Sequence, residues 1–438
     1  MATKDCYSIR KSIKTIFSLI KVCLISILQN SYDNIVIVRS VFTNTLWEMR
    51  ESDMRDFKSR TVLWLMAVLL VLFALAHFLP AADAYDWVFV YYMSYDNDLS
   101  PYGRGILRDL QTGVVNSRIA VTVQTDFADS RGMKRIALYH ADGRPQKKEI
   151  ALKSENSADD VQLRKYLDWV RKKWKAENYC IVFLNHGGTL NNMCHDLKPF
   201  KEHNTNKQFA SGKWLQATQA GKVLRNFNRK VGGKVRLLFL QQCGRAAIQN
   251  LYSFVDCAEN IMASPVRVDA PNTYYTATLT SVAQDPNVTG ETLAESIMRE
   301  DEHYTVYTLI GNKQLRELPE KLTPVLDVFE TASVLNKPRS CSPVFEFEGE
   351  KFYDLKSYLQ ALIAANSNIA GKELGDFLSW CENSLIADKA IRGLETVESS
   401  HCGLSIYVPS SGDPNISYDS LPLYQKTNLD AVMDFEPN

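Results

Sequence analysis

An α/β fold, with a mainly parallel sheet sandwiched between helices in three layers, is what this chain's pattern predicts. Three observations carry that expectation. Near-continuous apolar runs at 87–93, 180–184 and 235–240 suit strands buried on both faces. Amphipathic helical stretches lie between them. Two of the runs stop at polar turns containing Gly, and sheets of this kind bind ligands beyond the carboxyl ends of their strands.

The elements follow in order. Residues 87–93 (WVFVYYM) form the first strand, and Ser100-Pro101 caps a short helix carrying Ile106, Leu107 and Leu110. Residues 119–123 are a second strand; 135–139 and 149–152 pair as a hairpin about Asp142-Gly143. The next helix has Asn156 or Ser157 as its cap, Asp159 and Asp160 in its first turn, and Leu163, Tyr166, Leu167, Val170 and Trp174 at helical spacing. The strand 180–184 stops at Asn185-His186-Gly187-Gly188. Residues 189–213 are polar and predict a long loop, and a short helix with Leu224 and Phe227 leads to the strand 235–240. That strand stops at Gln241-Gln242-Cys243-Gly244, and a helix with Ile248, Leu251, Tyr252 and Val255 on one face follows. From about 300 onward, helical stretches mix with short apolar runs at 345–347 and 404–408.

Composition narrows the function classes. The 438 residues are 45% hydrophobic and 23% charged, which excludes a disordered tail, a collagenous repeat and a polytopic membrane protein. Lys+Arg and Asp+Glu both total 50, so the basic excess of a nucleic-acid binder is missing. A protein or small-molecule partner is expected instead.

Residues 61–79 (TVLWLMAVLLVLFALAHFL) follow Arg55, Lys58 and Arg60 and precede Ala81-Ala82-Asp83-Ala84. That is the pattern of a secretory signal cleaved after Ala84. Its apolar stretch nearly spans a bilayer, so an uncleaved anchor through 61–79 is the rival. Four parts result: 1–53, either an upstream over-extension of the reading frame or a genuine cytoplasmic leader or first membrane segment; 54–84, signal or anchor; 85–300, a catalytic domain; and 301–438, a region packing on and completing it. A secreted or periplasmic protein is expected, or one tethered to the membrane. Beyond the leader's Cys6 and Cys23, seven cysteines remain, an odd number that leaves at least one thiol unpaired within the chain.

Chemistry points to His186 and Cys243, each at a strand end. A thiolate attacks a carbonyl, and a nearby imidazole takes the thiol proton and later protonates the leaving amine. Cys243 is expected at the start of a helix, where the dipole lowers a thiol pKa. Gly187 offers a backbone N–H unobstructed by a side chain, and with the N–H of Cys243 it makes an oxyanion hole. The caspase signature, with Gln two before the nucleophile and His upstream, is matched only in part, since Arg245 stands where Gly is expected.

The chain more closely resembles the clostripain family of cysteine peptidases, in the caspase-like clan. The family's opening strand and acidic-Asn stretch are matched by 87–93 and Asp96-Asn97-Asp98. Its His-Gly-Gly is matched by His186-Gly187-Gly188, its nucleophile by Cys243, its Ala-Ser strand end by Ala263-Ser264, and its Gly-Leu-Ser-Ile-Tyr-x-Pro strand by 403–409. These five motifs occur in order over about 85–430. The resemblance implies a caspase-like sandwich, a polypeptide substrate, and a dyad of His186 and Cys243. It also implies an acid two before the nucleophile that binds a substrate Arg or Lys. Here that position is Gln241, and Pro265 stands where a second acid is usual. Gln241 and Asp269 are therefore the substrate-binding candidates, Asp269 being able to restore a charge. A neutral polar or acidic residue at the cleavage point is the other reading, with Arg245 or Arg267 assisting the acidic case. Family members are often activated by a cut between His and Cys, which would fall in 189–213.

No metal site is assignable. Cys194, His195 and His203 have no closed zinc spacing. Asp96-Asn97-Asp98 lacks the twelve-residue calcium loop, although the family resemblance implies that calcium can be needed. Two functions from different classes remain: an exported cysteine endopeptidase, and a catalytically inactive homologue acting as a secreted or tethered binding protein.

Overall fold

Alternation along the first strand, β1 (Tyr85–Tyr95), sets the layers. Val88, Val90 and Tyr92 point to one face of the sheet and Trp87, Phe89, Tyr91 and Met93 to the other, each set inside its own apolar core. None of the seven is more than 1% exposed, so the strand needs helices on both sides. The computed structural model describes residues 84–128, 132–154, 156–198, 213–330, 336, 338, 341–366, 371–392, 401–409 and 418–433. The expected leader, and the expected signal or anchor up to 83, lie outside them. Among the described residues no helix is long and apolar enough to cross a membrane.

The chain continues through α1 (Ser100–Gly113), β2 (Ile119–Phe127), β3 (Lys134–Ala141), β4 (Arg144–Ala151), α2 (Asp160–Lys173) and β5 (Ala176–Leu184). A small hairpin, β6 (Asn192–Asp196) with β7 (Lys213–Gln216), precedes α3 (Ala217–Lys230) and β8 (Val235–Gln241). Then come α4 (Ile248–Tyr252), β9 (Asn260–Ala263), α5 (Tyr275–Gln284), α6 (Gly290–Glu300), β10 (Val306–Gly311) and α7 (Asn312–Glu330). The last part holds β11 (Phe345–Phe347), β12 (Glu350–Asp354), α8 (Leu355–Ala365), α9 (Lys372–Trp380), β13 (Ile386–Ile391), β14 (Ser405–Tyr407) and α10 (Leu429–Met433).

One sheet of nine strands runs β13-β10-β9-β8-β5-β1-β2-β3-β4. Its five central strands are parallel, and antiparallel pairs flank them at both edges. Leu163 and Leu167 of α2 and Leu224 of α3 cover one face; Ile106 of α1, Leu279 of α5 and Ile297 of α6 cover the other. This is the predicted sandwich. All four predicted strands, 87–93, 119–123, 180–184 and 235–240, lie in this sheet. β10 and β13 join it too, while β11-β12-β14 form a second, smaller sheet.

Local details depart from the sequence reading. Asp159, not Asn156 or Ser157, caps α2, its carboxylate accepting from the Val161 N–H; the Ser157 N–H and hydroxyl are committed to Asp196. Ser100 is the first residue of α1 rather than its cap, and its hydroxyl accepts from the Ala128 N–H at 3.1 Å. The predicted loop 189–213 contains β6 from Asn192, where Met193 and Cys194 are buried in succession because the pairing with β7 shifts register between Met193 and His195. Residues 199–212 lie outside the described residues. The hairpin turn Asp142-Gly143 has φ of 52° and 70°, the left-handed pair that a two-residue turn demands. All seven described cysteines are free thiols.

A buried pair in the C-terminal part gives the stability a pH dependence. Asp354 ends β12 and caps α8, accepting from Ser357 N at 2.9 Å, Cys402 N at 2.8 Å and His401 Nδ1 at 3.2 Å. Burial alone would raise this carboxyl, but the hydrogen bonds from His401, Ser357 and Cys402 outweigh it and hold it at about 2. A depressed carboxylate stabilises fully above its unfolded value near 4 and loses that stabilisation as pH falls through 2, here about 2 kcal/mol. Asp354→Asn should therefore cost about that much in urea unfolding at pH 7 and very little at pH 2. Equal losses at both pH values would contradict this assignment.

Candidate active site

β5 and β8 are adjacent and parallel, with Leu184 beside Gln241 at the end of their ladder. Their exits therefore lie side by side, and so do the turns carrying His186 and Cys243. The contact is close at Gly187, where a Cβ would overlap the Cys243 carbonyl oxygen and sit 3.1 Å from Arg245 Nε. Only glycine fits there. Gly244 has φ +67°, and a Cβ on it would run into the Phe345 ring. The loop after β9 zips onto the cysteine turn: Gly244 N donates to Val266 O, Ala246 N to Ser264 O, and Val268 N to Cys243 Sγ at 3.4 Å. Neither the Gly187 N–H nor the Cys243 N–H donates to a backbone acceptor among the described residues. Cys243 does not start a helix. The turn 244–247 separates it from the one-turn helix α4, so the helix-dipole argument for its thiol falls.

His186 is one-third exposed, and its Nε2 lies 2.7 Å from Asp98 Oδ1. The bond to His186 is the main reason the Asp98 carboxyl is held below the usual carboxylate range. With Nε2–H donating to Asp98, a neutral ring keeps its lone pair on Nδ1, which can accept a proton. The neighbours fix this geometry: Asn97 Nδ2 donates to Asn185 Oδ1 at 3.0 Å and to His195 O at 2.8 Å. Sequence reasoning missed Asp98 as a partner of the histidine. Asp98 is 79% exposed, so water screens much of its effect, and Asp98→Asn should lower kcat about tenfold, far less than a buried orienting acid would. KM should hold, and Asp98→Glu should recover part of the loss; kcat within twofold of wild type would remove Asp98 from the mechanism.

A model of the clostripain family matches residues 91–335, more than half of the chain. The chain belongs to the clostripain family. That places it among the cysteine peptidases. Its solved neighbours carry the fold. The inactive zymogen of a C11 protease from Parabacteroides distasonis is similar over 79% of this chain and 99% of its own, at 16% identity and TM-score 0.59. A secreted C11 cysteine protease from Bacteroides thetaiotaomicron, in complex with an irreversible peptide inhibitor, covers the same shares at 14% identity and TM-score 0.58. No protein of curated function matches the sequence.

Within this clostripain-family site, Gln241 is buried and fully engaged. Its Nε2 donates to Tyr275 Oη at 3.0 Å and to Asn272 Oδ1, and its Oε1 accepts from Tyr274 Oη at 2.7 Å. Asn272 passes the chain on to the buried Asp301 at 2.8 Å. Asp269 is exposed, one residue from the Val268 N–H that meets Cys243 Sγ. Arg245 cannot assist a substrate acid: it is 0% exposed and donates only to backbone carbonyls, those of Cys243, Gly188, Thr189 and Asn192. Burial pulls its guanidinium down to about 10, with the charge of Glu350 opposing, so it stays protonated at neutral pH. Glu350 also accepts from the Leu190 N–H at 2.6 Å and from the Tyr418 hydroxyl, tying the histidine loop to the C-terminal part.

The zinc candidates disperse. His195 stacks on Trp214 at 4.4 Å, Cys194 is buried with its thiol accepting from Gln242 Nε2, and His203 lies outside the described residues. The three residues of Asp96-Asn97-Asp98 part company as well. Asp96 turns inward to Asp126 and Asp196, all three fully buried, with one oxygen from each within 4.8 Å of the others. Burial, with the neighbouring charge of Asp96, raises Asp196 to about 6. This all-oxygen donor set fits the hard cation that the family resemblance implied, and a calcium ion held there would offset the three charges and fix the ends of β1, β2 and β6. Asp126 and Asp196 could not be joined to Asp96 from sequence, because the sheet order brings the ends of β1 and β2 together and a separate contact, the Leu197 N–H on the Asp96 carbonyl, docks the end of β6 beside them.

Proposed function

We propose that the chain is an exported cysteine endopeptidase with Cys243 as nucleophile and His186 as general base and acid. The observation that supports this most is the seating of Gly187 against the Cys243 carbonyl, beside a histidine held by Asp98. His186 Nδ1 takes the thiol proton and the thiolate attacks the scissile carbonyl. The oxyanion is received by the Gly187 and Cys243 N–H groups. The amine leaves with the proton from His186, and water, deprotonated by the same imidazole, hydrolyses the thioester.

Specificity follows from charge. A basic substrate side chain in a closed pocket needs a carboxylate partner, and Gln241 is neutral and already engaged. Cleavage after Arg or Lys is therefore not preferred over neutral polar residues, unless the exposed Asp269 supplies the charge. The apolar stretch 61–79 supports export with removal of a signal, as does the fold shared with a secreted relative; an anchor through the same segment is the competing outcome.

Burial raises the pKa of the other six described cysteines, Cys194, Cys257 and Cys402 to about 12. Iodoacetamide at neutral pH should accordingly modify Cys243 first, as read by peptide mass spectrometry, and a peptide library should be cleaved with the stated preference. Absence of cleavage together with slow, indiscriminate labelling would leave the inactive binding protein as the better reading. Strong Arg preference lost in Asp269→Asn would overturn the specificity alone.

A further inference from the structure

A sheet cannot hold two turns that have left it. The β5–β8 ladder ends at Leu184 and Gln241, and the Gly187 and Cys243 N–H groups lie beyond it. Side chains of the cysteine turn span the gap. Gln242, 1% exposed, donates from Nε2 to the His186 carbonyl at 3.0 Å, and the Cys194 N–H donates to the same oxygen at 3.2 Å. A trans peptide is planar with its C=O and N–H opposed, so pinning the His186 carbonyl fixes the direction of the Gly187 N–H.

Arg245 sets the distance. Its Nε donates to the Cys243 carbonyl at 3.0 Å, Nη1 to Asn192 O at 2.7 Å and Thr189 O at 3.2 Å, and Nη2 to Gly188 O at 2.7 Å and Thr189 O at 3.2 Å. These bonds use all the N–H donors of a guanidinium. One rigid plane thus grips the carbonyl of the cysteine on one side and three carbonyls of the histidine loop on the other. We propose that Arg245, with Gln242, is a positioning residue for the oxyanion site, setting the spacing and direction of the Gly187 and Cys243 N–H groups. It acts on the tetrahedral state, not on substrate binding or thiol reactivity. This rests on the peptidase reading above.

Two probes of Cys243 separate these roles. A peptide aldehyde adds the thiol across its carbonyl: the S–C bond forms, the C–O π bond opens, and the thiol proton passes by way of His186 to the oxygen, which sits in the oxyanion site. Iodoacetamide is attacked at a saturated carbon and loses iodide, with no oxyanion formed. Arg245→Lys keeps the charge and loses the planar fork. It should weaken aldehyde inhibition and lower kcat by about a hundredfold each, with KM and the alkylation rate within about threefold of wild type. Equal losses in both probes, or no loss in either, would overturn the proposal while the peptidase reading stands. A wild-type chain inert to both probes would take down both. Gln242→Met removes one of the two bonds to the His186 carbonyl and leaves the Cys194 N–H bond and those of Arg245 in place; it should show the same split to a smaller degree, and it decides the matter should Arg245→Lys fail to fold.

Discussion

His186→Ala should lower kcat about ten-thousandfold, the upper end of what a positioned general acid–base contributes, because the Cys243 thiol then has no group to take its proton or to protonate the amine. The effect should show in both reaction halves. Alkylation of Cys243 at neutral pH should slow markedly, and any residual turnover should rise with pH as hydroxide takes over deprotonation. The fold should survive, since the His186 ring bonds only to the exposed Asp98, while the backbone contacts of the loop are made by its carbonyl. A variant that keeps a tenth of wild-type activity would show that another group is the base; His195 would be the first suspect, as it is close enough to His186 for that charge to help lower its own pKa, after burial.

Gly187→Ala comes next. One methyl group is added, and its only place is on the Cys243 carbonyl oxygen. No side-chain rotation relieves such a clash, so one of the two turns must back away. A displacement on the order of an ångström at reacting groups costs about a hundredfold in rate, and misaiming an oxyanion donor costs a similar factor, so kcat should fall by at least about a hundredfold. Five buried bonds from Arg245 resist the movement, which should also appear as a lowered thermal midpoint. Activity within threefold of wild type would mean that the two turns are not in contact during catalysis.

Much of this was legible in the chain itself, for a definite reason. Strands buried on both faces leave short apolar runs bounded by polar turns, and the turns at two of them carry His186 and Cys243, where a parallel sheet puts its ligands. What stayed hidden depended on direction. Asp96, Asn97 and Asp98 are consecutive, yet one turns into a buried acidic cluster, one braces the next loop and one meets the histidine, because β1 ends at Tyr95 and each later residue faces a different way. Arg245 suggested a ligand-facing cation, since arginines are rarely fully buried, and only its carbonyl partners reveal its place. The dipole argument for Cys243 failed because the apolar spacing after it marks a helix that begins only at Ile248, with a turn between.

Glu350 and Tyr418 lie past residue 335, where the recognisable family segment stops, yet Glu350 holds the Leu190 N–H in the loop that begins with His186, and Tyr418 holds Glu350. The stretch by which relatives are recognised is therefore shorter than the stretch that keeps the histidine in place. An expression fragment trimmed to 91–335 would retain His186, Cys243 and most of the parallel strands, and it would lack these supports. Inactivity of such a fragment would say nothing about the chemistry, and a minimal working unit has to be drawn to include Tyr418.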